Sequence, residues 1–277
     1  MQVIAAGNVT YILLSGITVP RCVRLSDSVE LQPADTSHLD LHTTISACVG
    51  PDDIAVAAAF IPRITAQLEI TALTPKELAI AAWNSSWDVL LLSAFFRTEI
   101  GFNLQSSTTA NTISADSTVR ATNLHMRGLT NAAPYQLSDD DLCWITGKFA
   151  AARQLLKYDE FQTAVHCLAT YRWHSMARVQ LAILWAGIEG LFGASTEIRF
   201  RISLYIARFL YPADGSKRQA AFDAVKRLYD LRSAAVHGSK FKSHTSNGVD
   251  ESAGILCNIL RECVDQRSTP DVSKLVP

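Results

Sequence analysis

The stretch RQAAFDAVKRLYDLRSAAVHG, residues 218–238, indicates how the second half of this 277-residue chain folds. Its apolar residues recur at spacings of three, four and seven, which mark one face of an α-helix. These residues are Phe222, Val225, Tyr229 and Val236. Arg232 falls on the same face, so the predicted helix places a guanidinium within its apolar stripe.

Helical patterns continue on both sides of this stretch. Ser138 and Asp141 form a capping pair for an upstream helix, and Ser216 and Gln219 offer another for the helix that contains Arg232. Further helices are predicted over residues 161–171, 173–192, 195–210 and 249–264. The second half is therefore predicted to be an all-α bundle of about six helices.

The first half has the pattern of a β-rich α+β domain. Alternating apolar residues predict strands in RCVRLSDSVELQP, AQLEITAL and STVRATNLHM. One helix is predicted among them, with Thr74 as its cap and Pro75 at its first position. The predicted domains are residues 1–135, an α+β region that senses or binds a target, and 138–265, the helical domain. A tail, 266–277, follows.

Composition is typical of a soluble globular protein, with 48% hydrophobic and 18% charged residues and a net charge of -1. No apolar run approaches the roughly 20 residues that cross a bilayer. No Lys or Arg precedes Arg21, so the charged start of a secretory signal is missing. The six cysteines form no CxxC pair, which favours reduced thiols. We expect a cytoplasmic protein without a membrane span.

Positive charge is concentrated around the Arg232 helix. Residues 192–242 contain 10 basic and 4 acidic side chains. Such a field attracts a polyanion such as RNA, although a charge run is also typical of a solvated face. The residues expected to contact RNA, if the first alternative holds, are Arg199, Arg201, Lys226, Arg227, Lys240 and Lys242.

A second lone charge lies in the helix SMARVQLAILWAGIEGLFG, residues 175–193, which is apolar almost all round and is predicted at the bundle centre. Glu189 is the one charged residue in its last three turns. Because a lone buried charge is unfavourable unless it is paired, Glu189 is predicted to lie close to Arg232 or to another basic residue such as Arg199.

Arg232 and His237 have the side chains that phosphodiester chemistry requires. Arginine offers a permanently charged fork that matches phosphate oxygens, and histidine exchanges a proton near neutral pH. Five residues rotate by roughly 140° along an α-helix, so one copy does not aim both side chains at one atom. Two copies around a twofold axis would bring two Arg and two His to one cleft, which predicts a homodimer.

Three segments within residues 140–265 carry a family resemblance, namely RLYDLRSAAVHG, AILWAGIEGLFG and EIRFRISLYIARFL. They resemble the HEPN superfamily (higher eukaryotes and prokaryotes nucleotide-binding), and within it the ApeA-like branch of prokaryotic defence proteins. The superfamily signature is an Arg, four residues and a His, often with a small polar residue directly after the Arg, and Arg232, Ser233 and His237 match it. Members controlled by AMP transfer have a His-x-Tyr sequence. In this chain Gly238 and Ser239 follow His237, so that mode of control is not expected.

The resemblance implies a metal-independent endoribonuclease that uses the RNA 2′-hydroxyl as nucleophile, within a toxin-like effector of anti-phage defence. His237 would be the general acid or base and Arg232 would hold the scissile phosphate. Ser233 would add a hydrogen bond and Glu189 would orient Arg232. No cofactor is expected, and a regulatory partner is left open. The alternative is a catalytically inactive HEPN module for dimerisation and nucleotide or partner binding.

The first half contains two further patterns. His38, Asp40 and His42 would share one face of a strand, either as metal ligands or as a polar strand face. No further ligand is evident, so no metal site is predicted. Trp83 and Trp87, four residues apart on the predicted helix, are expected in the core.

Overall fold

The computed structural model describes residues 4, 6–124, 129–130, 132–194, 196–236 and 245–275. An antiparallel β-sheet region comes first, and a largely helical region follows. The predicted order of a β-rich part before a helical part is confirmed at this level.

The chain divides into two compact units. The sheet unit comprises Met1–Leu92 and Thr98–Ala150, and the helical unit comprises Ser93–Arg97 and Ala151–Pro277. The division after Ala150 falls inside a helix. The expected boundary between residues 135 and 138 concerns which parts of the chain fold on their own, and it remains a prediction.

The sheet unit is built on a six-stranded antiparallel sheet. In chain order its strands are β1 (Val9–Ser15), β3 (Val23–Ser26), β4 (Val29–Pro33), β5 (Ile64–Thr71), β6 (Gly101–Ser106) and β7 (Val119–Ala121). They lie side by side in the order β3-β4-β5-β1-β6-β7. Two short strands, β2 (Ile17–Thr18) and β8 (Tyr135–Gln136), form a separate parallel pair.

Strand β1 lies inside this sheet but is absent from the strands predicted above. It pairs with β5 on one side and β6 on the other, with Ile12 opposite Leu68 and Leu13 opposite Leu104. Its residues 12–15 are all buried. A strand covered on both faces reads as a continuous apolar run without alternation, so the period-two test does not detect it.

Two helices between β4 and β5 also lie outside the predictions. They are α1 (Leu41–Ala47) and α2 (Pro51–Phe60). Phe60 and Val56 of α2 pack in the core with Leu13 and Leu104 of the sheet. Helix α1 has only 7 residues, and α2 is apolar around much of its circumference, so neither gives a clear helical stripe.

Helix α3 (Pro75–Phe95) begins where the sequence predicts. The Thr74 hydroxyl accepts a hydrogen bond from the Glu77 amide at 3.3 Å, and the Glu77 carboxylate accepts one from the Thr74 amide at 3.1 Å. Among the described residues α3 alone is long and apolar enough to cross a bilayer, but 61% of its most apolar window is buried. Most of this apolar window is therefore covered by the rest of the protein.

The prediction that Trp83 belongs to the core is wrong. Its side chain is 52% exposed, whereas Trp87 is partly buried. The face of α3 that packs inward contains Leu78, Ala82 and Val89, each fully buried. Trp83 follows Ala82 directly, so the 100° step per residue turns it away from that face.

The helical unit follows the predicted pattern closely. Within the described residues its helices are α4 (Asp139–Leu155, shared with the sheet unit), α5 (Asp159–Thr170), α6 (Ala177–Phe192), α7 (Ile198–Leu210), α8 (Gly215–Val236) and α9 (Thr245–Gln266). The capping pair at the start of α4 is confirmed, since the Asp141 amide donates to the Ser138 hydroxyl and the Ser138 amide donates to the Asp141 carboxylate.

Helix α6 is the centre of the bundle, as predicted, because it packs against α5, α7, α8 and α9. Gly187 permits the close approach of α5, since a Cβ atom there would lie 3.0 Å from Cys167 Cβ. Gly193 ends the helix in the left-handed conformation, with φ of 58°. Gly187 therefore serves packing, and Gly193 serves termination of the helix.

Helix α8 begins differently from the prediction. The Asp214 carboxylate accepts a hydrogen bond from the Lys217 amide at 2.9 Å, so Asp214 caps the helix instead of Ser216. Its buried line is formed by Val225, Leu228 and Ala235. Val236, assigned above to the apolar face, is 49% exposed.

Candidate functional site

The candidate site lies where α6 and α8 of the helical unit pack together. Nη2 of Arg232 lies 3.0 Å from Oε1 of Glu189 and donates a hydrogen bond to Oε2 at 3.1 Å. The Arg232 side chain is 21% exposed and the Glu189 side chain 24%. Of the two partners predicted for the lone Glu189 charge, Arg232 is confirmed, whereas Arg199 pairs with Asp230.

This ion pair does not satisfy all of its own polar atoms. Nε of Arg232 and Oε1 of Glu189 are buried, and neither has a well-directed hydrogen bond to any described residue. Burial raises the pKa of Glu189 above its ordinary value, and the positive charge of Arg232 only partly offsets this. The pair is therefore held in a poorly solvated place with unused hydrogen-bonding capacity.

A tyrosine on the same helix completes the setting of Arg232. The Arg232 Cζ atom lies 5.6 Å from the ring centroid of Tyr229, within cation–π range. The Tyr229 ring in turn meets Trp185 of α6 edge-on, with centroids 5.4 Å apart. The Trp185 indole donates to the Ser252 hydroxyl of α9 at 3.2 Å. Contacts from three helices thus define where the guanidinium lies.

Tyr229 and Trp185 belong to this site, although they were not predicted from the sequence as parts of it. A signal for Tyr229 is present, since residues three apart on a helix are neighbours and Tyr229 precedes Arg232 by that interval. Trp185 precedes Glu189 by four residues on α6, which places both on one face of that helix. Pairing the two lone charges would have located both aromatic rings beside them.

The remaining motif residues are placed only in part. Ser233 is partly buried on α8, and its hydroxyl makes no hydrogen bond to any other residue that the structure describes. His237, Lys240 and Lys242 lie outside the described residues. The geometry between Arg232 and His237 therefore remains a prediction.

Most of the other basic residues expected to contact RNA form ion pairs. Arg199 pairs with Asp230, and Arg227 pairs with Glu251. Arg201 lies 3.6 Å from the Glu197 carboxylate. Lys226 has no carboxylate partner among the described residues, and its ammonium lies 5.8 Å from the ring centroid of Phe222. Because exposed ion pairs are worth only about 0–1 kcal/mol, these arginines can exchange a carboxylate for a phosphate at little cost.

The histidine pattern in the first half does not form a strand. Residues 37–40 precede α1, whose N-cap is Asp40, and the Asp40 carboxylate accepts a hydrogen bond from the Thr43 amide at 2.7 Å. His38 Nε2 lies 3.3 Å from the carbonyl oxygen of Ile113. Among the described residues, no three His, Cys, Asp or Glu side chains are grouped to hold a metal ion. The capping role explains Asp40 without a metal.

Comparisons of this chain with protein-family models, with curated proteins and with solved structures found no match.

Proposed function

We propose that the helical unit is a metal-independent endoribonuclease of the HEPN type, in which Arg232 and His237 carry the chemistry. The proposal combines the Arg-x4-His sequence and the resemblance described above with the surroundings of Arg232. Glu189 orients the guanidinium, and Ser233, the next residue of α8, supplies a further hydroxyl. The cellular role that the resemblance suggests is a cytoplasmic, toxin-like effector in defence against phage.

The observation that carries the proposal is the ion pair between Arg232 and Glu189. It holds the guanidinium against the Tyr229 ring while leaving 21% of the side chain exposed. A cation fixed in advance in a poorly solvated place stabilises developing negative charge better than a mobile one in water. This is the property needed to hold a scissile phosphate.

The reaction proposed is transesterification at phosphorus. The RNA 2′-oxygen attacks the phosphorus atom and the bond from phosphorus to the 5′-oxygen breaks. This leaves a 2′,3′-cyclic phosphate and a free 5′-hydroxyl. One proton leaves the 2′-hydroxyl and one joins the departing 5′-oxygen, and both transfers are within the reach of imidazole chemistry. Arg232 offsets the charge that develops on the non-bridging oxygens.

Two copies of the chain are part of the proposal. Arg232 and His237 are separated by five residues, so one α-helix does not direct both side chains at one phosphate. In a twofold dimer, His237 of one copy takes the proton and His237 of the other supplies it. The homodimer would then be the active unit.

The direct test is RNA cleavage by the purified wild-type protein and by the His237→Ala and Arg232→Ala variants, in EDTA, with the 3′ ends of the products analysed. Cyclic phosphate ends from the wild type alone are the expected result, with circular dichroism and sedimentation unchanged in the variants. Equal cleavage by wild type and His237→Ala would exclude the proposed chemistry.

A catalytically inactive module for dimerisation and nucleotide or partner binding is the second candidate. The observation that favours it is the pairing of Arg232 with Glu189, since structural ion pairs have the same appearance. In that case Arg232→Ala would mainly lower the free energy of unfolding, and His237→Ala would change nothing that is measured.

A further inference from the structure

A groove lies beside the candidate site, and the proposed chemistry does not use it. It has a volume of about 610 Å³ and lies between the start of α7 and the middle of α8. Its lining consists of Glu197, Ile198, Arg199, Phe200, Lys226 and Tyr229. Its volume falls within the range of roughly 300–1,000 Å³ typical of small-ligand sites.

Phe200 is the unusual residue of this groove. Its side chain is 53% exposed, although a phenylalanine normally buries most of its surface. The ring is not loose, because Phe222 packs against it edge-to-face with centroids 5.7 Å apart. An aromatic ring that is fixed by a neighbour and still open to solvent is suited to stack on a planar ligand.

The groove also provides positive charge next to this ring. Lys226 lines it and has no carboxylate partner among the described residues, while Arg199 is paired with Asp230 at the surface. Phe222 contacts both the Phe200 ring and the Lys226 ammonium, so it joins the aromatic and the cationic parts. A ligand with a flat ring and a phosphate matches this combination, whereas a purely apolar partner would leave the lysine unpaired.

Tyr229 connects the groove to the candidate site. It lines the groove and also lies beneath the Arg232 guanidinium, 5.6 Å from Cζ to the ring centroid. A polynucleotide chain that enters the groove is therefore led toward Arg232. Only a base that is not stacked in a duplex has a face available to Phe200.

We propose that this groove is a base-binding subsite, in which Phe200 stacks on one unpaired base of an RNA chain and Lys226 binds an adjacent phosphate. The inference rests on the proposed function, because it concerns the RNA that Arg232 would cleave. It assigns to Phe200 the selection of single-stranded over duplex RNA.

The test measures RNA binding in the His237→Ala background, which keeps the RNA intact. The probes are a fluorescein-labelled ten-nucleotide single strand and the matching duplex. Phe200→Ala is expected to weaken single-strand binding by about 5- to 100-fold, as removal of a stacking aromatic does, with little change for the duplex. Phe200→Trp should restore binding, and Lys226→Ala should lower the salt dependence by about one charge.

Trp83→Ala is the matched control, because Trp83 is 52% exposed but lies on α3 outside this groove. Its single-strand affinity should stay within about twofold of the parent. If Phe200→Ala binds as the parent does, the subsite is excluded while the proposed function stands. If the parent binds neither probe, the proposed function is overturned, and the subsite with it. A change of sedimentation mass in Phe200→Ala would assign Phe200 to contact with a second copy and overturn the subsite.

Discussion

The two sides of helix α8 carry ion pairs of different kinds. On the side facing α6, Arg232 and Glu189 are 21% and 24% exposed and leave two buried polar atoms without hydrogen bonds to described residues. On the outer side, Arg227 and Glu251 are 60% and 44% exposed, and Arg199 and Asp230 are 47% and 54% exposed. The same pairing of arginine with carboxylate therefore occurs in two environments, one mostly shielded from water and one exposed to it.

Because of this difference, loss of the partner is expected to destabilise the protein for the shielded pair but hardly at all for the exposed pairs. Exposed pairs are screened by water and salt, and their removal changes stability by less than about 1 kcal/mol. Formation of a poorly solvated pair costs free energy because both charges lose water. Removal of one partner costs more, because it leaves the other charge buried and unpaired. A protein gains little stability from such a pair compared with apolar residues, which is why a functional reason for Arg232 is worth testing.

The largest expected effect concerns cleavage. Arg232→Lys keeps the positive charge but loses the planar fork, so RNA cleavage should fall by about 10²- to 10³-fold, as removal of a fixed transition-state donor does. Initial cleavage rates of a labelled RNA measure this. Arg21→Lys is the matched control, because Arg21 forms an exposed ion pair with Asp139 at 3.2 Å in the sheet unit. Equal rates for the two variants would make Arg232 a structural residue.

The contact that motivates this experiment was predictable from sequence for a physical reason. An apolar helix with one carboxylate and an apolar stripe with one guanidinium must each find a partner, and in this chain they find each other. The helices of the second half were predictable because most have an apolar face with the helical period, while α6 is a long segment that is apolar almost all round. Helix α8 starts one residue earlier than Ser216, and Asp214 is its cap.

Three elements of the first half, β1, α1 and α2, were not predicted, for the opposite reason. Strand β1 is covered on both faces and shows no alternation, α1 has only 7 residues, and α2 is apolar around much of its circumference. Tertiary packing, not local pattern, determines these elements. The exposed positions of Trp83 and Phe200 were likewise not predictable, since both lie in segments rich in apolar residues.

The second prediction compares the stability of the two kinds of pair. Glu189→Ala leaves the Arg232 charge in place without its carboxylate, so the free energy of unfolding should fall by about 1–3 kcal/mol, less than for a fully buried pair. Glu251→Ala on the outer side should lower it by less than about 1 kcal/mol. Urea unfolding with an unchanged m-value measures both, and equal losses would remove the distinction between the two sides of α8.

A double variant sharpens the same comparison. Glu189→Leu with Arg232→Met replaces the pair by apolar residues of similar size, so stability should return to within about 1 kcal/mol of the wild type. The double variant should not cleave RNA, because it lacks the Arg232 guanidinium. A stable double variant that still cleaves RNA would show that the pair has no part in the chemistry.

The third prediction concerns pH. Burial raises the pKa of Glu189 above its ordinary value of 4.5 in the folded protein, so folding favours the protonated carboxyl. The stability of the wild type relative to Glu189→Gln should be greatest below pH 4.5 and should fall as the pH rises through the folded pKa. Unfolding free energies of both proteins from pH 4 to 8 measure this. A difference that increases with pH would mean that attraction by Arg232 outweighs burial.

The smallest expected effect is the response of the pairs to salt. Double-mutant cycles give the coupling energy of each pair separately from the other contacts of its members. For Arg227 and Glu251 this energy should be a few tenths of a kcal/mol at 0.05 M salt and close to zero at 1 M, where the Debye length is about 3 Å. For Arg232 and Glu189 most of the coupling should persist, because ions do not enter between two side chains that are mostly buried. If both couplings decline equally, the inner side of α8 is as well solvated as the outer, and the preorganised guanidinium on which the proposed chemistry depends would not exist.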